Sequence, residues 1–242
     1  MANCIIHPIP LYQAKGDKAR ATYLQNFGQQ LNTVNYVWYI EGARERILVD
    51  AGGDVGYVTT VVEVTKEFQT LDSGLNKLGI SFDDINLVIL THLHADHVAQ
   101  AHRFPKARLL VQKDELEFAQ NPHPAFIWIY CKEFYSGLNF EVVSGDVEIC
   151  EEVSVISTPG HTPGGQSVVI KTARGTAIIS GLCTIRENFE PPPPIKETMP
   201  VIAPGIHTNL FEAYNSLLRI KKMADIVIPL HEAELAQKST IP

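Results

Sequence analysis

The stretch that most constrains this chain is Leu87-Val88-Ile89-Leu90-Thr91-His92-Leu93-His94-Ala95-Asp96-His97. Four successive apolar residues read as a fully buried strand. Directly after Thr91, three His and one Asp fall within six positions. His92 and His94 alternate with Leu93, so in an extended loop leaving the strand their rings point the same way. Imidazole suits Zn²⁺ and other divalent transition metals, and two rings on one side supply half of a tetrahedral shell. Asp96 and His97 lie just beyond, where the chain must turn into a helix, placed to serve a second metal. A surface histidine cluster is the plain alternative, and the position directly behind a buried strand argues against it.

The run His92-Leu93-His94-Ala95-Asp96-His97 resembles the H-x-H-x-D-H signature of the metallo-β-lactamase-fold hydrolases. The resemblance implies an α/β fold, a four-layer αββα sandwich carrying one or two metals at the sheet edges. Thr158-Pro159-Gly160-His161-Thr162-Pro163-Gly164 is similar to the family's second signature. Its prolines and glycines fix a sharp turn that presents His161 from the end of a strand over 153–157. With His92 and His94 it completes three nitrogens around one metal and leaves a fourth position for water, a catalytic rather than a structural pattern. His231 follows the last apolar strand, 226–230, as the family's final His does, and joins Asp96 and His97 at a second metal. His207 competes for that role but sits at a helix start. Asp50, closing Leu48-Val49-Asp50-Ala51-Gly52, resembles the family's Asp that braces the ligands from behind.

The pattern departs from the family at one place. Dinuclear relatives put a bridging Asp after the strand equivalent to 177–180, whereas here the chain reads Ser180-Gly181-Leu182-Cys183 and no acid follows until Glu187. Cys183 resembles the zinc-binding Cys of zinc β-lactamases, and a thiolate is a good zinc ligand. The other reading is a small buried Cys beside a mononuclear or weakened second site, with His97 then the ligand that matters. Lactone-opening relatives also carry a Tyr just past the bridging Asp; Thr184 stands near that position.

Composition narrows the partners. The 242 residues allow one domain, 1–242, with a large core. A net charge of -7 disfavours nucleic acid or an anionic membrane as partner. Four Cys without a CxxC pair suit reduced thiols in a cytoplasmic protein. Met1–Pro10 has no basic start with a long apolar run, and no stretch approaches 18 apolar residues, so no export signal or membrane span is expected.

Along the chain, 1–33 reads as irregular, punctuated by Pro8, Pro10 and Gly16, and Tyr23–Gly28 resembles the N-terminal lip of acyl-homoserine-lactone hydrolases, with Phe27 approaching the substrate. Strands are expected at 35–40 and 46–49. The steps Val61, Val64, Phe68 and Leu71 predict helix over 57–79. Between 114 and 140, aromatics including Phe118, Phe126, Trp128, Tyr130 and Phe134 cluster around two prolines. They fit either an amphipathic helix packed on the core or a lid forming an apolar substrate wall. Pro191–Pro194 reads as a stiff spacer or a homodimer contact. Thr208 is expected to cap a helix over 209–223 with Leu210, Phe211, Tyr214, Leu217 and Leu218 on its inner face.

Taken together, the residues and the resemblance imply a zinc-dependent hydrolase that opens a small cyclic ester or amide, most like the N-acyl-homoserine lactonase branch. Zinc, one or two per chain, lowers the pKa of bound water to about 7 and so supplies hydroxide. Asp96 orients that water and passes a proton to the leaving oxygen, while Thr184 with backbone donors holds the carbonyl oxygen. The alternatives on the same fold are an iron-dependent dioxygenase or a thioesterase.

Overall fold

Two β-sheets lie face to face in the computed structural model, which describes residues 4–242. The first contains β1 (Ile5–Asp17), β2 (Gln30–Glu41), β3 (Ile47–Val49), β4 (Glu63–Glu67), β5 (Leu87–Ile89), β6 (Arg108–Gln112) and β7 (Phe140–Val143), in the order 4-1-2-3-5-6-7. The second contains β8 (Val147–Glu148), β9 (Val153–Ser157), β10 (Gln166–Thr172), β11 (Gly175–Ile179) and β12 (Ile226–Ile228), in the order 12-11-10-9-8. The helices are α1 (Val55–Val58), α2 (Leu71–Lys77), α3 (Ala95–Val98), α4 (Lys113–Gln120), α5 (Arg186–Phe189), α6 (Pro193–Lys196) and α7 (Leu210–Met223).

Three apolar clusters fill the spaces between four layers. Along β2, Val34, Tyr36, Trp38 and Ile40 point between the sheets, where they meet Val155, Val168, Ile170 and Ile179. The alternate residues Val37 and Tyr39 face outward to Leu71 and Leu75 of α2. In β3 and β5 the same alternation sends Leu48 and Val88 outward and Ile47, Val49, Leu87 and Ile89 inward. These strands are apolar throughout because both faces are covered. On the far side, Ile156 and Ile178 pack against Ala213, Leu217 and Ile220 of α7. The result is the αββα sandwich expected from the sequence.

Several local expectations change. The segment 1–33 is not irregular: β1 pairs with β2 from Ile5↔Glu41 to Asp17↔Gln30, and its prolines fall where β1 has no second neighbour, since β4 joins only at Tyr12–Lys15. The helix expected over 57–79 is broken into α1, β4 and α2. The β-branched run around Val61–Thr65 is drawn into pairing with the free edge of β1, and Thr70 caps α2 by accepting from the Ser73 amide. Asn209, not Thr208, caps α7, accepting from the Phe211 and Glu212 amides, while Thr208 donates to the Gly160 carbonyl. Phe211 is exposed, and Ala213, Ser216, Leu217 and Ile220 form the buried face. The proline run starts a short helix, with proline at the first turn of α6.

β3, β5 and β6 run parallel, and β12 runs parallel to β11. The segments leaving β3, β5, β9, β11 and β12 therefore gather at one edge of the sandwich. There the sheets are tied together: Gln166 donates from its backbone to Thr91 and from its side chain to Leu90, and the Val34 amide donates to the His231 carbonyl.

Candidate metal centre

The loops at that edge bring donors into two groups, His92 with His94 and His161, and Asp96 with His97 and His231; within each group the ligand atoms lie within 4.8 Å of one another. The sequence placed these six residues together, and the structure assembles them. Each group takes its first members from the loop after β5 and its last from the second sheet.

Hydrogen bonds behind the rings fix their orientation. The Thr91 hydroxyl donates to the Asp50 carboxylate, 2.9 Å away, so the His92 Nδ1–H is left to donate to the Thr91 oxygen at 3.0 Å. His161 Nδ1 donates to the Ile206 carbonyl at 2.7 Å and His231 Nδ1 to the Val34 carbonyl at 3.2 Å. His97 Nδ1 donates to Asp50 Oδ2 at 2.8 Å. In all four rings Nε2 is thereby left facing inward, the arrangement that prepares imidazole for a metal. The Nε2 atoms of His92, His94 and His97 are buried with no hydrogen-bond partner. Buried polar atoms are ordinarily paired, so these nitrogens call for an electron-pair acceptor, and the donor set of imidazoles and one carboxylate fits a divalent transition metal. Asp50 holds both groups from behind, in the left-handed region at φ 61°.

In the first group electrostatics favour the same state. Burial, reinforced by neighbouring imidazoles, pushes His92 and His94 well below the usual histidine range, and burial lowers His161 to about 4. These rings stay neutral and keep their lone pairs. Burial works against charge on His97 too, but Asp96 and Asp50 on either side raise it to about 10, so this ring holds its proton until a bound cation displaces it. Asp96, despite burial, is held well below the usual carboxylate range by His97, whose Nε2 is 3.2 Å from Oδ2.

A second buried carboxylate was not anticipated. Glu115 of α4 accepts from the Leu93 amide (2.8 Å), the Tyr130 hydroxyl (2.7 Å) and the Gly164 amide (3.2 Å), so it joins the two signature loops to each other. Gly164 lies so close to the Glu115 backbone that any Cβ would overlap it. No spacing in the sequence marks Glu115, whose partners come from loops far away in the chain.

The other expected site residues divide. Cys183 lines the same cleft, but its sulfur is not drawn into either donor group, and burial, with Asp96 adding to it, pushes the thiol up to about 12. Thr184 is fully buried, does not line the cleft, and donates its hydroxyl to the Leu182 carbonyl while accepting from the Leu230 amide, so it ties the segment after β11 to the segment after β12. The hydroxyl expected to hold a substrate carbonyl is engaged by the backbone in this structure. Trp128 lines the cleft, whereas Phe126 and Phe134 pack into the apolar layer behind it, Phe134 edge-on to Tyr57 at 5.2 Å. Phe27 is 69% exposed and does not line the cleft. The apolar wall missed in the sequence comes from Tyr57, Val58, Val61 and Val62, together with Tyr12 and Ala14 of β1.

Residues 32–225 match the profile of the Metallo-beta-lactamase superfamily. An N-acyl homoserine lactonase of a Bacillus species is 30% identical over 179 residues, covering 67% of this chain and 69% of that protein. Another, from Bacillus thuringiensis, is 29% identical over 223 residues, covering 86% of this chain and 84% of its own length. Among solved structures, a quorum-quenching N-acyl homoserine lactone lactonase superposes with a TM-score of 0.80 at 26% identity, over 98% of this chain and 95% of that one.

Proposed function

Because the chain belongs to the metallo-beta-lactamase superfamily and is a lactonase-like metal-dependent hydrolase, we propose that it opens the ring of a lactone, in the class of N-acyl homoserine lactones, at a zinc centre. The observation that carries this reading is the pair of three-donor groups, one of them all imidazole, opening on a single apolar-walled cleft. His92, His94 and His161 would hold one metal, and Asp96, His97 and His231 a second.

Zinc bound there supplies Lewis acidity and lowers the pKa of bound water to about 7. The chain's own residues do the rest. Asp96, held ionised, accepts a proton from the attacking water and returns it to the ring oxygen as the acyl carbon–oxygen bond breaks, giving a hydroxy acid. Asp50 keeps the His92 and His97 rings from rotating. Val58, Val61, Val62 and Trp128 exclude water and receive the apolar part of the substrate.

The test is metal analysis of the purified protein alongside a screen of N-acyl homoserine lactones, simple γ-lactones, cyclic amides, thioesters and β-lactams. Bound zinc and turnover concentrated on lactones are expected. Turnover of thioesters alone, or a protein that retains no metal, would sink the reading.

A further inference from the structure

Tyr12 is almost wholly buried, at 3% exposure, with its ring in the apolar cluster outside the first sheet. It also lines the cleft that holds both donor groups, and its hydroxyl makes no hydrogen bond among the described residues. The ring is buried while the phenol oxygen is reachable from the cleft, so the O–H is free to meet a bound molecule there.

The backbone is shaped to put that hydroxyl where it is. The pairing of β1 with β2 shifts register between Pro10 and Tyr12, and such a bulge re-aims the side chains around it. Gly53, at the end of the loop after β3, has no left-handed φ to require glycine. Its reason is space: a Cβ there would overlap the Tyr12 hydroxyl and lie 3.1 Å from the Asp96 Cα. The phenol oxygen and Asp96 thus sit against the same small gap. Asn35, directly across from Tyr12 in β2, frames it by donating to the Asp96 carbonyl at 2.7 Å and accepting from the Gly53 amide at 3.1 Å.

We infer that Tyr12 is a substrate-binding residue whose O–H donates to a carbonyl oxygen of the substrate beside Asp96. This rests on the lactone-opening function proposed above. An N-acyl homoserine lactone offers two such oxygens, on the ring ester and on the side-chain amide.

The experiment compares wild type with Tyr12→Phe on N-hexanoyl homoserine lactone and on a γ-alkyl lactone that has no amide, with bound metal measured on the same samples. A fall of about tenfold or more in kcat/KM is expected, since one hydrogen bond is lost while the ring remains. A fall on both substrates, carried by kcat, assigns the ring carbonyl; a fall on the amide-bearing substrate alone, carried by KM, assigns the amide. Gly53→Ala should reproduce the loss by displacing the phenol, and should add little in a Tyr12→Phe background. Rates within twofold of wild type on both substrates overturn the assignment, and so does a loss accompanied by loss of metal. A wild-type protein that opens neither lactone removes the proposed function and this assignment with it, whereas an active wild type matched by Tyr12→Phe removes only the latter.

Discussion

Asp50 touches no member of the donor groups through a metal, yet it orients one ring in each of them. It accepts from Thr91, which holds His92, and from His97 directly. Asn is as comfortable as Asp at a left-handed φ, so Asp50→Asn should leave the backbone in place. It would nonetheless lose the charge and one acceptor, and the expected result is a 10- to 100-fold loss in metal affinity or activity. Competition with a chromophoric chelator, read beside a circular dichroism spectrum, would show whether affinity falls with the fold intact. Cys183 gives the opposite expectation. With its sulfur outside both donor groups, Cys183→Ser should keep the metal content of wild type; a drop from two metals towards one would make the thiolate a ligand after all. At this scale much of the site was legible, because His92 to His97 and Thr158 to Gly164 are compact signatures. Tyr12, Asn35 and Glu115 were not, since each acts alone from a distant element and no spacing announces it.

Elements were harder to read than the ligands they carry. Valines at helical steps between 61 and 71 concealed a strand, β4, that forms because β1 has a free edge to pair with. Prolines in β1 read as loop punctuation because nothing local shows that one side of the strand lacks a partner. α4 was obscured in another way: its aromatic surroundings drew attention, while nothing in the sequence marked Glu115, its buried link to both signature loops. Burial raises the Glu115 carboxyl above its ordinary value of 4.5 against the pull of its hydrogen-bond donors. The folded state therefore binds this proton more tightly than the unfolded chain does. Its contribution to stability is fully present below 4.5 and is lost as pH rises through the folded value. In Glu115→Gln that pH dependence should vanish, so the difference in unfolding midpoint between the two proteins should change as pH rises from 4.5 through the folded value. The variant should also be destabilised by about 1–3 kcal/mol, because an amide NH₂ must face one of the donors that the carboxylate accepted from. Parallel stability–pH curves for the two proteins would refute the assignment of a raised carboxyl.

For the whole molecule, the arrangement of donors matters more than their number. His92, His94, Asp96 and His97 leave the first sheet after β5, whereas His161 and His231 leave the second after β9 and β12. Each group therefore spans both sheets, and a metal held in either one joins the halves of the sandwich at the edge where they are otherwise tied by Gln166 and the Val34–His231 backbone contact. A ligand that binds only the folded state stabilises it by mass action, about 4 kcal/mol at a thousandfold excess over its dissociation constant. For a chain of this size each kcal/mol moves the melting temperature by roughly 2–4 °C, so chelation should lower it by about 10 °C. His161→Ala cuts the first group's link to the second sheet, and it should melt lower than wild type with zinc present while losing much less on chelation. Differential scanning calorimetry on both proteins, with and without chelator, reads this independently of any substrate. Equal melting temperatures for wild type with and without metal would mean that the sheets hold together without the metals and that the groups serve chemistry alone.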